Sequence, residues 1–248
     1  MTSMINKASR KVPEITAVFW VTKLLTTAMG EATSDFLANT INPYAAVAIG
    51  FVVFVVAMAL QFRAKHYNPW IYWFAVAMVA VFGTMAADVL HKQFGVPYIA
   101  STSFFAVCLA AVFVVWQKVE HSLSIHTITD NRREVFYWLT VMATFALGTA
   151  AGDWTATSLG LGYLSSGILF AAIIIIPALG HRFHWSEVFT FWFAYIITRP
   201  LGASFADWFG KPVPNGLGYG DGTVSIVLTI IILGCVAYMA FNHQERRS

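Results

Sequence analysis

Four stretches of this chain align without a gap: FWVTKLLTTAMGEATSDFL (19–37), YWFAVAMVAVFGTMAADVL (72–90), YWLTVMATFALGTAAGDWT (137–155) and FWFAYIITRPLGASFADWF (191–209). Each opens on an aromatic residue and a tryptophan (Trp20, Trp73, Trp138, Trp192). Glycine follows ten residues after the tryptophan (Gly30, Gly83, Gly148, Gly202) and aspartate five residues later (Asp35, Asp88, Asp153, Asp207). A repeat of this kind is one supersecondary unit that buries its apolar face against its neighbours. After each aspartate a short turn with Pro, Gly or Asn leads to a tyrosine (Tyr44, Tyr98, Tyr163, Tyr219) near the start of a second apolar run. Each unit therefore reads as a helical hairpin with a leading and a trailing helix.

Composition says where such hairpins sit. Of 248 residues, 58% are hydrophobic and only 11% charged, against about 25% charged in an ordinary soluble domain. Runs such as YAAVAIGFVVFVVAMAL (44–60) and FFAVCLAAVFVVW (104–116) are membrane-type, because about 20 apolar helical residues cross a hydrocarbon core of roughly 30 Å. The expected fold is an all-α membrane protein: eight transmembrane helices as four parallel hairpin repeats (13–62, 69–117, 133–180, 187–241) in a single domain, 1–248, with no soluble domain left over. Leading helices are expected at 13–38, 69–91, 133–155 and 187–209, and trailing helices at 44–62, 98–117, 162–180 and 223–241. Pro13 and Pro69 suit a first helical position, and Asn68 and Ser186 suit caps. The first apolar stretch reads as a true span rather than a cleaved leader, since Lys23, Glu31 and Asp35 interrupt it. Cys108 and Cys235 fall in separate apolar segments and read as small buried hydrophobes, offering neither a disulfide framework nor a CxxC site.

Basic residues give the orientation. The side holding both termini has Lys7, Arg10, Lys11, Arg63, Lys65, Lys118, Arg132, Arg133, Arg182, Arg246 and Arg247, eleven against Lys92 and Lys211 on the other. The positive-inside rule then places both termini in the cytoplasm and the aspartate ends outside. Localisation in a plasma membrane with this topology is the expectation, with the lipid bilayer as the obligatory partner. A homo-oligomer is compatible with it. The modest net charge of +3 is a consequence of topology, and nucleic acid is not an expected partner.

The two helix types differ in chemistry. The trailing helices hold almost no ionisable residue and suit an outer, lipid-facing position, whereas the leading helices hold Lys23, Glu31, Asp35, Asp88, Asp153, Arg199 and Asp207. At about 100° per residue from the tryptophan, Lys23 lies near 300°, Arg199 near 340°, Glu31 near 20° and the four aspartates near 60°. Ionisable residues in a span nearly always face the bundle interior or a wet cavity. Four polar inner helices inside four apolar outer ones follow. The glycines, spaced small-xxx-small with Ser34, Ala87, Gly152 and Ala206, suit close approach between helices.

If the leading helices surround one axis, Asp35, Asp88, Asp153 and Asp207 converge at the outer mouth, as one ring or as two pairs. Arg199 lies only four residues from the level of Glu31, about 6 Å along an axis, so the two suit an ion pair. Lys23 lies about 18 Å from the aspartate level. Five acids against Lys23 and Arg199 leave three negative charges for protons, cations or water to balance. His91 follows Asp88 by three residues on the same face, a low-specificity candidate metal pair. No nucleophile, phosphate-binding or zinc-protease motif is present, so no catalytic residue and no enzyme activity is expected.

With KVPEITAVFWVTKLLTTAMGEATSDFL in the first unit and the G-x4-D echoes in the other three, the chain resembles a bacterial family of integral membrane proteins built from a repeat of unknown function. That resemblance covers nearly the whole chain. It implies a multi-pass inner-membrane protein and lends no activity. The residues themselves favour a transporter or permeation pathway for a small cation, with Glu31 and the four aspartates as ion ligands or pathway and Lys23 and Arg199 as counter-charges or gates. Carboxylates with Thr26, Thr27, Ser34, Thr84 and Thr149 nearby suit Mn²⁺, Mg²⁺ or proton coupling. The competing expectation is a non-transporting scaffold, sensor or assembly factor whose buried ion pairs fix helix register.

Overall fold

The computed structural model describes residues 10–245, without the side chains of Lys92 and His181. Lys7, Arg246 and Arg247, which enter the orientation count, lie outside the described residues. Among the described residues the fold is all helix, with no strand. The leading helices are α1 (Ala17–Thr40), α3 (Pro69–Asp88), α5 (Asn131–Asp153) and α8 (Glu187–Gly210). The trailing ones are α2 (Pro43–Arg63), α4 (Tyr98–Glu120), α6 (Gly162–Ile173) continued by α7 (Ile175–Arg182), and α9 (Asp221–Glu245).

Local chemistry explains most of the boundaries. Asn42 and Asn68 cap α2 and α3 with their side-chain oxygens, each followed by proline at the first helical position. Asp130 does the same for α5 by accepting from Arg133 N at 3.0 Å. The expected start at Pro13 is corrected: Thr16 accepts from Phe19 N and the helix begins at Ala17, because Thr16 offers the side-chain oxygen that Val12, before Pro13, lacks. The single trailing helix expected at 162–180 is broken at Ile174, since Pro177 has no N–H for the Ile173 carbonyl. Both α3 and α5 end in wider π turns, Val89–Gln93 and Trp154–Ser158, directly after their aspartates.

The leading helices close a ring: α1 packs on α3, α3 on α5, α5 on α8 and α8 on α1. Each trailing helix lies chiefly against the leading helix of the next unit, α2 on α3, α4 on α5, α6 on α8, with α9 returning to α1. The ring is closed at the repeat glycines. A methyl group built on Gly30 would lie 2.9 Å from the carbonyl carbon of Ala80, on Gly83 3.0 Å from Phe145 Cβ, on Gly148 2.6 Å from Arg199 Cβ and on Gly202 2.9 Å from Thr27 Cβ. All four contacted residues stand seven positions after their own tryptophan. The same small-residue contact thus recurs around the ring, the last onto the first.

Among the described residues six helical stretches are long and apolar enough to cross a membrane: Pro43–Arg63, Pro69–His91, Tyr98–Glu120, Asn131–Ser158, Gly162–Gly180 and Asp221–Glu245. In their most apolar windows α3 and α5 are each 61% buried within the protein, while the four trailing stretches are 28%, 17%, 22% and 17% buried. That contrast separates inner from outer helices. Helices α1 and α8 are each 24 residues long and carry the remaining ring charges. Ring contacts at the termini end include Tyr67 N to Arg10 O at 2.9 Å and the Tyr67 ring on His243 at 5.4 Å, so the first and last described residues share one face.

Candidate functional site

Regular helical geometry carries Glu31 and Asp35 one turn apart on α1, and Asp207 on the neighbouring α8, to the end of the ring far from the termini. All three are buried, at 3%, 4% and 5% exposure. One carboxylate oxygen from each lies within 4.8 Å of the others. Asp88 and Asp153 are outside this close group. Of the four aspartates expected at this end, the close group takes in Asp35 and Asp207; α3 and α5 leave α-helical geometry immediately after Asp88 and Asp153, whereas α1 and α8 stay regular beyond Asp35 and Asp207. Asp153 still lies near enough for its charge to act on Asp207.

Below this group sits Arg199, with no exposed surface. Its Nη2 lies 2.7 Å from Glu31 Oε2, 2.6 Å from Thr149 Oγ1 and against Thr84 Oγ1, three acceptors sharing its two hydrogens; Nη1 donates to the Thr27 carbonyl at 3.2 Å. The ion pair read from the spacing is thus present, and every leading helix contributes to it. The guanidinium stem lies where Gly148 has no side chain. Thr84 and Thr149 serve the arginine, and Thr84 also donates weakly to Glu31 Oε2 at 3.4 Å.

A second base enters from outside the ring. Lys211, just past the end of α8, bonds Asp35 through Nζ and lies 3.5 Å from Asp207 Oδ1 and 3.3 Å from Asp221 Oδ2. Residues 211–220 fold back on the helix end, with Leu217 N on Trp208 O at 2.7 Å and Gly218 N on Lys211 O at 2.9 Å. Gly218 and Gly220 take φ of 76° and 82° to do so, conformations that glycine adopts readily. The fold-back delivers Asp221, at the head of α9, to the lysine. Burial alone would lower the Lys211 pKa, but Asp207, Asp35 and Asp221 outweigh it and hold the ammonium above the ordinary lysine value. The charge count from sequence missed Lys211 by placing it in a solvated loop. Its signal was the Asp207-x3-Lys211 spacing, which puts base and acid one turn apart.

Lys23 lies deeper and is 1% exposed. Its Nζ stands 4.2 Å from the ring centroid of Tyr195 and 4.5 Å from that of Phe145, with one long bond to Thr198 Oγ1 at 3.4 Å. From there to the termini the ring interior is aromatic: Tyr72 and Tyr137 share a hydrogen bond of 2.5 Å, flanked by Phe19, Trp73, Trp138, Phe191 and Trp192. The segment before α1 covers this end. Val12 is buried, and Lys11 Nζ reaches Glu134 Oε2 at 2.7 Å, while Gln61 donates to the other Glu134 oxygen at 2.8 Å. The far end instead carries a cleft of about 400 Å³ beside Tyr163, Trp208 and Asn215.

His91 lies in the π turn after α3. Its Nδ1 is 3.2 Å from the Val96 carbonyl, Nε2 is 3.3 Å from Ser101 Oγ, and the ring stands 4.2 Å from that of Tyr98. Among the described residues Asp88 and His91 belong to no group of three converging ligands. Cys108 and Cys235 are free and half-buried.

The family described as Repeat of Unknown Function (DUF347) matches four segments of the chain, residues 18–67, 71–122, 136–183 and 190–244. No curated protein and no solved structure matches it.

Proposed function

The chain belongs to the family of Repeat of Unknown Function (DUF347), four copies of which build a membrane-type helical protein, and from that premise we propose that it is a carrier for a small cation. In this reading all eight helices cross the membrane. At about 1.5 Å per residue, 24 residues span roughly 36 Å, so α1 and α8 are long enough, and their charges face the ring rather than lipid. The family resemblance supports a bacterial inner membrane, and the basic residues at the termini end support placing the termini in the cytoplasm.

The observation that carries the proposal is the convergence of Glu31, Asp35 and Asp207 oxygens within 4.8 Å, buried at one end of a closed helix ring. Oxygens bound to a hard divalent ion at about 2.0–2.6 Å lie about 3–5 Å from one another, so the spacing suits Mg²⁺ or Mn²⁺. Four carboxylates (Glu31, Asp35, Asp207, Asp221) face two bases (Arg199, Lys211). These pairs leave two negative charges, and the nearby Asp153 adds to the excess, which favours a divalent ion. Lys211 sits at the mouth on a loop and exchanges its place on Asp35 with the ion, while the aromatic half of the ring closes the route to the cytoplasm.

The test is Mn²⁺ uptake into proteoliposomes by the parent and by Asp35→Asn, Asp207→Asn and Glu31→Gln. Loss of at least about tenfold in each variant is expected, and parental uptake in all three refutes the carrier. A second reading is favoured by the ion pairs themselves: Arg199 on Glu31 and Lys211 on Asp35 satisfy much of the group without any ion, as in a non-transporting scaffold or sensor. It expects destabilised variants and a parent that binds no Mn²⁺.

A further inference from the structure

Lys23 takes no part in the acid group, and we propose that it is a proton-exchange site, reached from the termini end through the hydroxyls of Tyr72, Tyr137 and Tyr195, whose proton opposes the cation. This deepens the carrier reading and rests on it.

Lys23 is surrounded by a distinctive set of groups. From α8 it faces Tyr195, Thr198 and Arg199, and from α5 Phe145. The titratable groups of the other helices packed on α1, for which no contact with Lys23 is found, are Tyr72 and Asp88 on α3, Tyr44 and Arg63 near the ends of α2, and Asp221, Cys235, Tyr238, His243 and Glu245 on α9. Among the described residues no carboxylate forms an ion pair with Lys23. A charge there is held only by ring faces and one hydroxyl, and an intramembrane ionisable residue so placed marks a proton or ion pathway by default.

The tyrosines supply the route. Tyr72, Tyr137 and Tyr195 are buried at 1%, 1% and 0% exposure. Tyr137 bonds Tyr72 at 2.5 Å, and the Tyr195 hydroxyl lies beside that of Tyr137, close enough to interact with it. Tyr67 stacks edge-on to Tyr72 at 5.6 Å and joins the chain to the loop at the termini end. A phenolic hydroxyl both donates and accepts. One proton from water is taken up at the Tyr72 end, each hydroxyl accepts one proton and passes on another, and the Lys23 nitrogen lone pair receives the last. No bond to carbon changes.

Arg199 couples the two sites. It bonds Glu31 at 2.7 Å, and its charge acts on Lys23. With Lys23 protonated, repulsion keeps the guanidinium on Glu31 and closes the acid group to the ion. An ion on Glu31 returns Arg199 toward Lys23 and expels the proton. Such coupling is reciprocal by linkage.

The experiment is Mn²⁺ binding by calorimetry in two buffers of different ionisation enthalpy, which counts protons released, together with Mn²⁺ and proton flux in vesicles containing a pH dye. Lys23→Met is expected to bind Mn²⁺ while releasing one proton fewer, and Lys23→Gln replaces it where that variant does not fold. Lys23→Arg, permanently charged, is expected to bind at least about tenfold more weakly. Tyr137→Phe and Tyr195→Phe, which keep their rings, are expected to slow proton flux about tenfold without changing Mn²⁺ affinity. Parental proton release in the Lys23 variants, or parental proton flux in both Phe variants, overturns the inference while the carrier stands. A parent that neither binds nor moves Mn²⁺ overturns both.

Discussion

Removing the charge of Arg199 strands a carboxylate in the interior, and the size of that effect can be worked from the structure. Two unit charges 2.7 Å apart attract by about 6 kcal/mol at an effective dielectric of about 20, an attraction largely offset by the cost of taking both out of water. Truncating one partner leaves that cost without its compensation, which is worth about 3–5 kcal/mol for a buried pair. Arg199→Met keeps an unbranched stem over Gly148 and deletes only the guanidinium, so packing loss is small. It also leaves the hydroxyls of Thr84 and Thr149 without their donor.

Arg199→Met is therefore expected to lose about 3–5 kcal/mol, and Glu31→Gln a smaller amount because an amide still accepts from the guanidinium. The double variant removes both charges and should cost less than the sum of the singles by at least about 2 kcal/mol. Reversible unfolding by SDS in mixed micelles measures all three. Additivity within about 0.5 kcal/mol would refute the reasoning, for the two side chains would then be independent.

The glycine contacts predict a contrast along the same assay. Gly202→Ala drives a methyl group into Thr27 and should cost about 1–3 kcal/mol, whereas Gly234→Ala in α9 meets nothing within 4 Å and should be neutral or gain up to about 1 kcal/mol from helix propensity. Equal effects at the two positions would sink the proposed ring contact. For Lys211 the sign runs from its raised pKa: a group whose folded value exceeds the unfolded one contributes fully below the unfolded value, and loses that contribution as pH rises through the folded value. The fall in melting temperature caused by Lys211→Met should thus be the same at pH 6 and pH 9 and shrink only above about pH 10.4. A loss that disappears between pH 6 and pH 9 contradicts the ion cluster.

Inner and outer helices were legible in the sequence because they follow from a quantity that one unit displays by itself, the angular position of charge relative to tryptophan. The glycine spacing was legible for the same reason. What escaped depended on geometry between units or beyond a helix end. Nothing in the spacing of Asp88 and Asp153 announces the π turns that follow them. Lys211 escaped because a loop of Pro and Gly residues reads as solvated, and only the fold-back that seats Gly218 against Lys211 carries the ammonium to Asp35. The packing of each trailing helix on the following unit escaped as well, for hydrophobic faces without polar marks do not name their neighbours.

The departures from fourfold repetition are themselves informative. Seven residues after the tryptophan the units carry Thr27, Ala80, Phe145 and Arg199, and four residues further on Glu31, Thr84, Thr149 and Ala203. Four arginines facing one another would be untenable in a ring this tight; one arginine, one glutamate and two threonines form a neutral, bonded layer. The symmetric part of the repeat thus fixes where helices touch, and the asymmetric part fixes where charge resides. Because Glu31 and Asp35 come from the first unit and Arg199, Asp207 and Lys211 from the fourth, the charged layer straddles the α1–α8 seam rather than encircling an axis. On the carrier reading, displacement at this seam, with Gly202 sliding over Thr27, separates Arg199 from Glu31.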